Sequence, residues 1–500
     1  MKRRFLSFCL AMTAALALYA HQEYTGTIYV TQNGQTSTGT ATVTVLDQEN
    51  GPGLHTIELQ VPLMGNDLVL RMFDVPSAST AGTGGITTYS AERNVPTDLG
   101  SMDVILFARV TKGLNGFMTA NVAIPNHGVT MWFNTVGDHF QLPNSDLEAW
   151  NNTNGEPDRW HGFKSATGGF ATTSAGLVTL VSSEDVRSGA TGHSAVMTAG
   201  SIIGIVANGT MTNGRLNAGA MSASDTRNHA EMDKNNGTDE YYMPLYAKPD
   251  KFNVWLKYTQ GTANDNYKAN VSVKTFDGTY YQEPVDKEYT NLSGSIVGGQ
   301  IPAGDWTFYS FPFDYDSYAG NNAASEAIFV TFSTNGTPGQ GSKNDKLYVD
   351  DMELVYLAAM TDLRYQGTTL QGWNPAVTEY TLTMAGTPSL DDFDATIEGA
   401  SAVLTKSMEQ NADGSYRIAI SVVSGDLQTA TCYVINVTAP AGMKGDVDDS
   451  GDVSIADVTA LIDYLLGGGV INEANADMDN SGTITIGDVT ALIDYLLSGN

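Results

Sequence analysis

Asp446–Leu466, DVDDSGDVSIADVTALIDYLL, returns 31 residues later as Asp477–Leu497, DMDNSGTITIGDVTALIDYLL. Each copy opens with a loop that carries side-chain oxygens at positions 1, 3, 5, 9 and 12 and Gly at position 6. That is the ligand order of a calcium loop, in which a hard cation collects several oxygens and the Gly permits a sharp turn. The first loop offers Asp446, Asp448, Ser450, Ser454 and Asp457, with the carbonyl of Asp452 at position 7. The second offers Asp477, Asp479, Ser481, Thr485 and Asp488, with the carbonyl of Thr483. Each loop runs into a predicted helix with an apolar stripe: Val458, Leu461, Ile462, Leu465, Leu466, then Val489, Leu492, Ile493, Leu496, Leu497. An acidic solvated tail would need neither the repeat nor the stripes.

Position 12 departs from an ordinary EF-hand, because both copies carry Asp where the motif has the longer Glu. Ahead of the first loop lies an Ala-Pro-Ala-Gly linker, Ala439–Gly442, rather than a helix. A duplicated loop-helix unit of this size, ending in Leu-Leu, resembles the type I dockerin family. The resemblance covers 444–500 and implies a small helical module around two calcium ions that plugs a secreted protein into a cohesin-type partner. Two departures are visible. Ser stands at position 5, where the family usually has Asp. Ile455-Ala456 and Ile486-Gly487 stand where many dockerins present a Ser-Thr pair to the cohesin.

The 500-residue chain is expected to form several domains. Only 16% of residues are charged, Gly numbers 52, and Thr, Ser, Asn and Tyr dominate the middle, a composition that suits β-sheet with tight turns. The net charge of −30 excludes nucleic acid as a partner, since phosphates would be repelled. Lys2, Arg3 and Arg4 precede an apolar run from Phe5 to Leu18, so 1–20 reads as an export signal, cleaved after Ala17 or Ala20. Cys9 lies within it, leaving Cys432 with no disulfide partner. No other run of about 18 apolar residues occurs, so no transmembrane helix is expected. The mature protein is expected outside the cell or at its surface.

From 21 to 140 the chain reads as hairpins: Tyr24–Gln32, a turn at Asn33-Gly34, Ala41–Leu46, then Leu54–Val61, Asp67–Val75, Gly85–Ser90, Ser101–Arg109, Phe117–Ile124 and Val129–Phe133. Eight sequential strands suggest a closed barrel. YTGTIYV and GGITTYSAE resemble calycin-like domains of secreted proteins, whose barrels often hold small apolar ligands; a barrel filled by its own side chains fits the pattern equally.

The span 141–357, bracketed by PNSDLEAW and KLYVDDMELVY, resembles a jelly-roll β-sandwich family assigned to carbohydrate metabolism and, more loosely, carbohydrate-binding sandwiches. Strands are expected at Ser201–Ala207, Phe252–Tyr258, Ala269–Thr275, Trp306–Phe313 and Ala327–Ser333. In the closing strand Tyr348, Asp350, Met352, Leu354 and Tyr356 share one face by period two, leaving Asp350 semi-buried and needing a partner. The sandwich resemblance implies a structural calcium between Asp350 and Asn144, Asp146 and Glu148; a hydrogen-bonded Asp is the alternative. Span 358–440 resembles small immunoglobulin-like or cadherin-like sandwiches used as spacers, with Trp373 and Tyr380 in its core. The fold class is therefore mainly β: barrel, jelly roll, small sandwich, and the helical calcium module.

No Gly-x-Ser-x-Gly elbow, His-Glu-x-x-His helix or phosphate loop occurs, and the seven His are scattered. A glycosidase needs two carboxylates about 5–10 Å apart, and Asp146, Glu148, Glu156, Asp158, Glu231, Asp233, Asp239 and Glu240 are available. Aromatic rings among Asn, Asp and Thr suit sugar faces, which makes Tyr241, Tyr280 and Trp306 candidates for stacking. The reading is a secreted accessory protein that binds polysaccharide or oligosaccharide and docks through calcium to a cohesin. The alternatives are a glycoside hydrolase with its active site in 141–357 and a non-catalytic adhesin.

Overall fold

The computed structural model describes residues 21–498, apart from 33, 48–50, 64–65, 80–85, 112–116, 136–139, 233–238, 280, 284–289, 385–386, 412–413 and 439–442. The export signal read at 1–20, the stacking candidate Tyr280, the acid Asp233 and the Ala439–Gly442 linker lie outside the described residues. The chain is mainly β and divides into two compact units. One runs to Thr361 and includes 397–405 and 422–431; the other holds 362–396, 406–421 and 432–500.

The first unit begins with eight antiparallel strands: β1 (His21–Gln32), β2 (Gln35–Asp47), β3 (Leu54–Leu63), β4 (Asn66–Ser79), β5 (Ile86–Thr97), β6 (Gly100–Thr111), β7 (Phe117–Ile124) and β8 (Val129–Asn134). They close into a barrel because β1 pairs with β8, Ile28 opposite Phe133 and Val30 opposite Met131. Gln32 faces Gln35, so only Asn33-Gly34 separates the first two strands. Alternation then sends Ile28, Val43, Leu70, Val104 and Phe133 into one buried cluster. The barrel is packed with its own side chains. At the seam Gly26 is required, since a Cβ there would lie 2.3 Å from the carbonyl oxygen of Asn134.

After the barrel comes a sandwich built along one hydrogen-bonded path: Thr210–Thr212, Ala327–Ser333, Ala269–Phe276, Leu292–Ile296, Gly304–Asp314, Lys251–Thr259, Lys346–Val355, Ser194–Thr198 and Thr179–Ser183. Its core gathers Trp160, Phe252, Tyr258, Phe276, Phe329 and Phe332. Two expectations change here. Ser201–Ala207 is a hairpin, Gly200–Ile202 against Ile205–Ala207, turned through Ile203 and Gly204 in the left-handed region (φ 50° and 77°). The closing strand does not keep one period-two face. Asp351 is left-handed (φ 44°), and the pairing slips so that Trp255 faces Asp350 while Asn253 faces Glu353. This bulge puts two residues opposite Val254 and exchanges the faces. Leu347 and Val349 point into the core before it, Met352 and Leu354 after it, so Tyr348 and Asp350 leave the face assigned to them.

In the second unit Glu379–Thr383 runs parallel to Ala430–Thr438, Tyr380 opposite Ile435. Trp373 stacks on Tyr380 with centroids 5.7 Å apart and meets Tyr433 at 5.1 Å. Helices Ile455–Leu465, Glu473–Ala476 and Ile486–Ser498 follow. Their buried core is small: Val447, Val458, Leu461, Ala476, Val489 and Leu492.

Candidate metal centres and ligand-binding faces

Among the described residues, acids that could jointly hold a metal gather in two places, Asp446, Asp448 and Asp457, and Asp477, Asp479 and Asp488. Within each triad the ligand oxygens lie within 4.8 Å of one another. The same backbone devices build both. Positions 4 and 6 are left-handed in each loop: Asp449 at φ 57° and Gly451 at 92°, Asn480 at 58° and Gly482 at 80°. That double turn points amides inward at the first carboxylate. Asp446 accepts Ser450 N at 2.9 Å and Gly451 N at 3.0 Å; Asp477 accepts Ser481 N and Gly482 N at 2.9 Å each. Position 5 turns inward too, with Ser450 Oγ donating to the Asp452 carbonyl at 3.3 Å and Ser481 Oγ to that of Thr483 at 3.1 Å.

Position 12 caps its helix. Ser454 accepts Ala456 N at 3.1 Å, while Asp457 Oδ2 accepts Ser454 N at 2.7 Å, a reciprocal capping box. Asp488 repeats this on Thr485 N at 2.8 Å. Both position-12 carboxyls are buried. Burial works to raise the Asp488 carboxyl, but the amides of Thr485, Asp479 and Met478 outweigh it and hold the group below the usual carboxylate range. Asp448 is likewise lowered, chiefly by the Ser450 hydroxyl. Ionised carboxylates crowded in this way favour a divalent cation, and the all-oxygen donor set fits calcium. Two calcium ions would be held by the six Asp side chains together with Ser450, Ser454, Ser481 and Thr485 and the carbonyls of Asp452 and Thr483.

The helices bury two residues of each five-residue stripe and pack a third, Leu465 or Leu496, against them. Val458, Leu461, Val489 and Leu492 face inward, whereas Ile455, Ile462 and Leu466 are 71, 39 and 82% exposed and their counterparts Ile486, Ile493 and Leu497 are 70, 37 and 80% exposed. The two copies thus present matching apolar faces to solvent.

In the sandwich, the four residues read as a structural metal site hold separate partners. Asn144 staples its own loop, donating to the carbonyls of Ala149 and Asp158 at 2.9 Å each and accepting Ala149 N. Asp146 accepts Glu148 N at 3.4 Å. Glu148 accepts the amide and ring nitrogen of His193 at 2.7 and 3.2 Å. Asp350 is buried and accepts Asp351 N at 2.9 Å. Burial, with the charges of Asp351 and Glu148, pushes its carboxyl up to about 7. The oxygens of Asp146, Glu148 and Asp350 do not form one of the acid clusters among the described residues.

Trp306 lies half-buried on Gly304–Asp314. Its indole N–H donates to Asp185 at 3.0 Å and its ring meets Tyr348 edge-on at 6.1 Å. Beside it, Trp255 packs on Phe308 at 5.5 Å under the Arg187 guanidinium, and Lys257 bridges Asp185 and Asp305 at 3.0 and 3.2 Å. Sequence reasoning missed Trp255, Phe308 and Tyr348 in this aromatic band. The alternation of KFNVWLKYT, with Val254, Leu256 and Tyr258 buried, is the signal that places Trp255 and Lys257 outward. Tyr241 is already covered on its ring faces, by His161 at 4.6 Å and the Arg215 guanidinium at 5.4 Å. Of the candidate acids, Glu156 accepts the amides of Gly162 and Lys164 at 2.9 and 3.0 Å, and Glu231 is paired with Arg215 and His229.

Residues 444–497 match the dockerin type I domain. Dockerin domains bind calcium, and the two acid clusters fit this. No curated protein matches the chain. Among solved structures, similarity extends to a Bacteroides thetaiotaomicron protein named as a candidate glycoside hydrolase, at 11% identity over 51% of this chain and 86% of that one, with a TM-score of 0.34. Similarity also extends to the CBM22-1 xylan-binding domain of a Paenibacillus barcinonensis protein, at 10% identity over 43% of this chain and 92% of that one, with a TM-score of 0.22. Among the described residues, no helix is long and apolar enough to cross a membrane.

Proposed function

We propose that the chain is an exported carbohydrate-binding accessory protein of polysaccharide degradation, anchored by 444–500 to a cohesin-type partner through two calcium ions. The observation that carries this is the doubled site: two acid triads under two matching exposed faces, in the residues that match the dockerin type I domain. Each loop folds around its cation and thereby orients its helix, so the apolar face formed by Ile455, Ile462 and Leu466, or by Ile486, Ile493 and Leu497, is ready for a partner. The remaining domains are proposed at 21–140, 141–357 and 358–440.

The sugar-binding part rests on the aromatic band around Trp306. Trp and Tyr rings supply planes for the C–H faces of a pyranose, and Asp185, Asp305, Asn253 and Glu353 lie on or beside the same strands to take hydroxyls. The experiment is affinity electrophoresis of the whole protein in gels cast with neutral polysaccharides, beside a cohesin pull-down in calcium and in chelator. Retardation lost in Trp306→Ala, with calcium-dependent capture, supports the proposal. Retardation by none of the polysaccharides favours the adhesin. Release of reducing ends, abolished by one Asp or Glu replacement in 141–357, makes the protein a hydrolase instead.

A further inference from the structure

The sandwich contains a cavity of about 440 Å³ that none of the motifs points to. Its floor is the solvent side of the sheet, where Ser272, Thr331 and Ser333 alternate with the buried Val271, Val273, Val330 and Phe332. Its walls are largely apolar, interrupted by Asn208, Asn217, Asn228 and by His229, whose ring is turned to Glu231. Phe170 and Leu177 come from the segment around helix Ala171–Leu177, Ile202 and Ile205 from the Gly200–Ala207 hairpin, and Met221 from the following loop.

Two features define what it would accept. None of the described lining residues is Asp, Glu, Lys or Arg, in a chain where those types make up 16% of the sequence and the net charge is −30. A charged guest would therefore lose its hydration without gaining a counter-charge. The second is Asn335, which lines the cavity and is 6% exposed, with an amide Nδ2 that has no hydrogen-bond acceptor. Its other groups are engaged, Oδ1 accepting Thr337 N at 2.9 Å and the main-chain carbonyl accepting Ser333 Oγ at 2.9 Å. An unpaired buried donor is costly; the amide nitrogen is shut off from the cavity as it stands, and a guest carrying an acceptor would pair it by turning the Asn335 side chain. The volume falls within the range of small-molecule pockets, in which apolar walls supply affinity and a few polar groups fix orientation.

We infer that this cavity is a binding site for an uncharged small molecule with an apolar body and a hydroxyl or carbonyl group at one end. It is separate from the ring stacking proposed at Trp306, since the aliphatic walls select for an apolar body rather than for a run of sugar rings. Fluorescence titration of the whole protein with the neutral probe N-phenyl-1-naphthylamine, in calcium, tests it. Saturable one-to-one binding with blue-shifted emission is expected. n-Hexyl β-glucoside should compete at least tenfold better than hexanoate or hexylammonium. Ser272→Trp, which fills the floor, and Ile205→Asp, which places a charge in the hairpin wall, should each weaken probe binding tenfold or more. If Ser272→Trp fails to fold, Ile205→Asp carries the test, because the hairpin lies off the main sheet. Absence of saturation in the native protein, equal competition by the ions, or unchanged affinity in folded variants would overturn the assignment. None of these readouts uses polysaccharide, so the cavity can fail while sugar binding at Trp306 stands.

Discussion

Asp457 Oδ1 accepts the main-chain amide of Val447 at 2.6 Å, tying the twelfth position of the first acidic loop to its second. The same oxygen takes Asp448 N at 3.1 Å, and in the second loop Asp488 takes Asp479 N at 3.2 Å. The Asp at position 12 thus locks the loop and caps the helix, and in the proposed reading it also supplies an anionic ligand.

Replacement of either residue should therefore cost more than one ligand. Asp457→Ala is expected to weaken calcium at the first loop by more than about tenfold and to fray the Ile455–Leu465 helix, since the capping box alone contributes about 1 kcal/mol. Calorimetry showing one site lost and the second retained would agree; two sites of unchanged affinity would refute it.

Removal of calcium should unfold residues 444–498. Six buried apolar residues are too few to hold the helices while two acid triads repel each other. Calcium at about one hundred times its dissociation constant adds about 2.7 kcal/mol per site. Circular dichroism of this segment should lose most of its helical signal in chelator, and equal helicity in chelator and in calcium would count against the role assigned to the ion.

Because the two exposed faces match, one is expected to stand in for the other. Leu466→Asp or Leu497→Asp alone should change capture of a cohesin-type partner less than about threefold. The double replacement should weaken it by about 2 kcal/mol or more, since a charge at the centre of an apolar interface removes an anchor and strands an unpaired carboxylate. If one single replacement already abolishes capture, only one face is used.

His161 should make the sandwich acid-sensitive. It is buried, its Nε2 donates to the Glu240 carbonyl at 3.1 Å, and burial lowers its pKa from the ordinary 6.5. The unfolded chain therefore takes up a proton below about pH 6.5 that the folded one resists, and this contribution to stability is lost as pH falls from 6.5 towards the depressed value. His161→Phe keeps a ring against Tyr241 and should flatten the fall in melting temperature over that interval, while costing about 1 kcal/mol at pH 7.5 for the lost hydrogen bond. An unchanged pH slope in the variant would contradict this origin.

Much of the architecture is legible in local chemistry. Eight strand-like runs, the first two alternating with period two about an Asn-Gly turn, are enough to order the barrel strands, although β5 runs on to Thr97, beyond the expected end at Ser90. The metal triads are legible because every donor lies within twelve consecutive residues, where spacing alone sets geometry. The aromatic band is only half legible. Trp306 stands out by type, but Phe308 and Tyr348 join it through pairing of three strands distant in sequence. The closing strand departs from its sequence pattern where alternation fails, since the bulge at Asp351 exists only in its pairing with Lys251–Thr259.

By itself, then, the sequence determined the mainly β character, the barrel order and the doubled loop-helix module with its two acid clusters, because turns, alternation and loop spacing act over a few residues. Only the tertiary structure decided which part of each helix stripe faces solvent, which residues surround Asp350, and that side chains from several remote segments, none of them Asp, Glu, Lys or Arg, line a cavity. Those outcomes depend on which surfaces meet across long sequence separations, and no local pattern encodes that encounter.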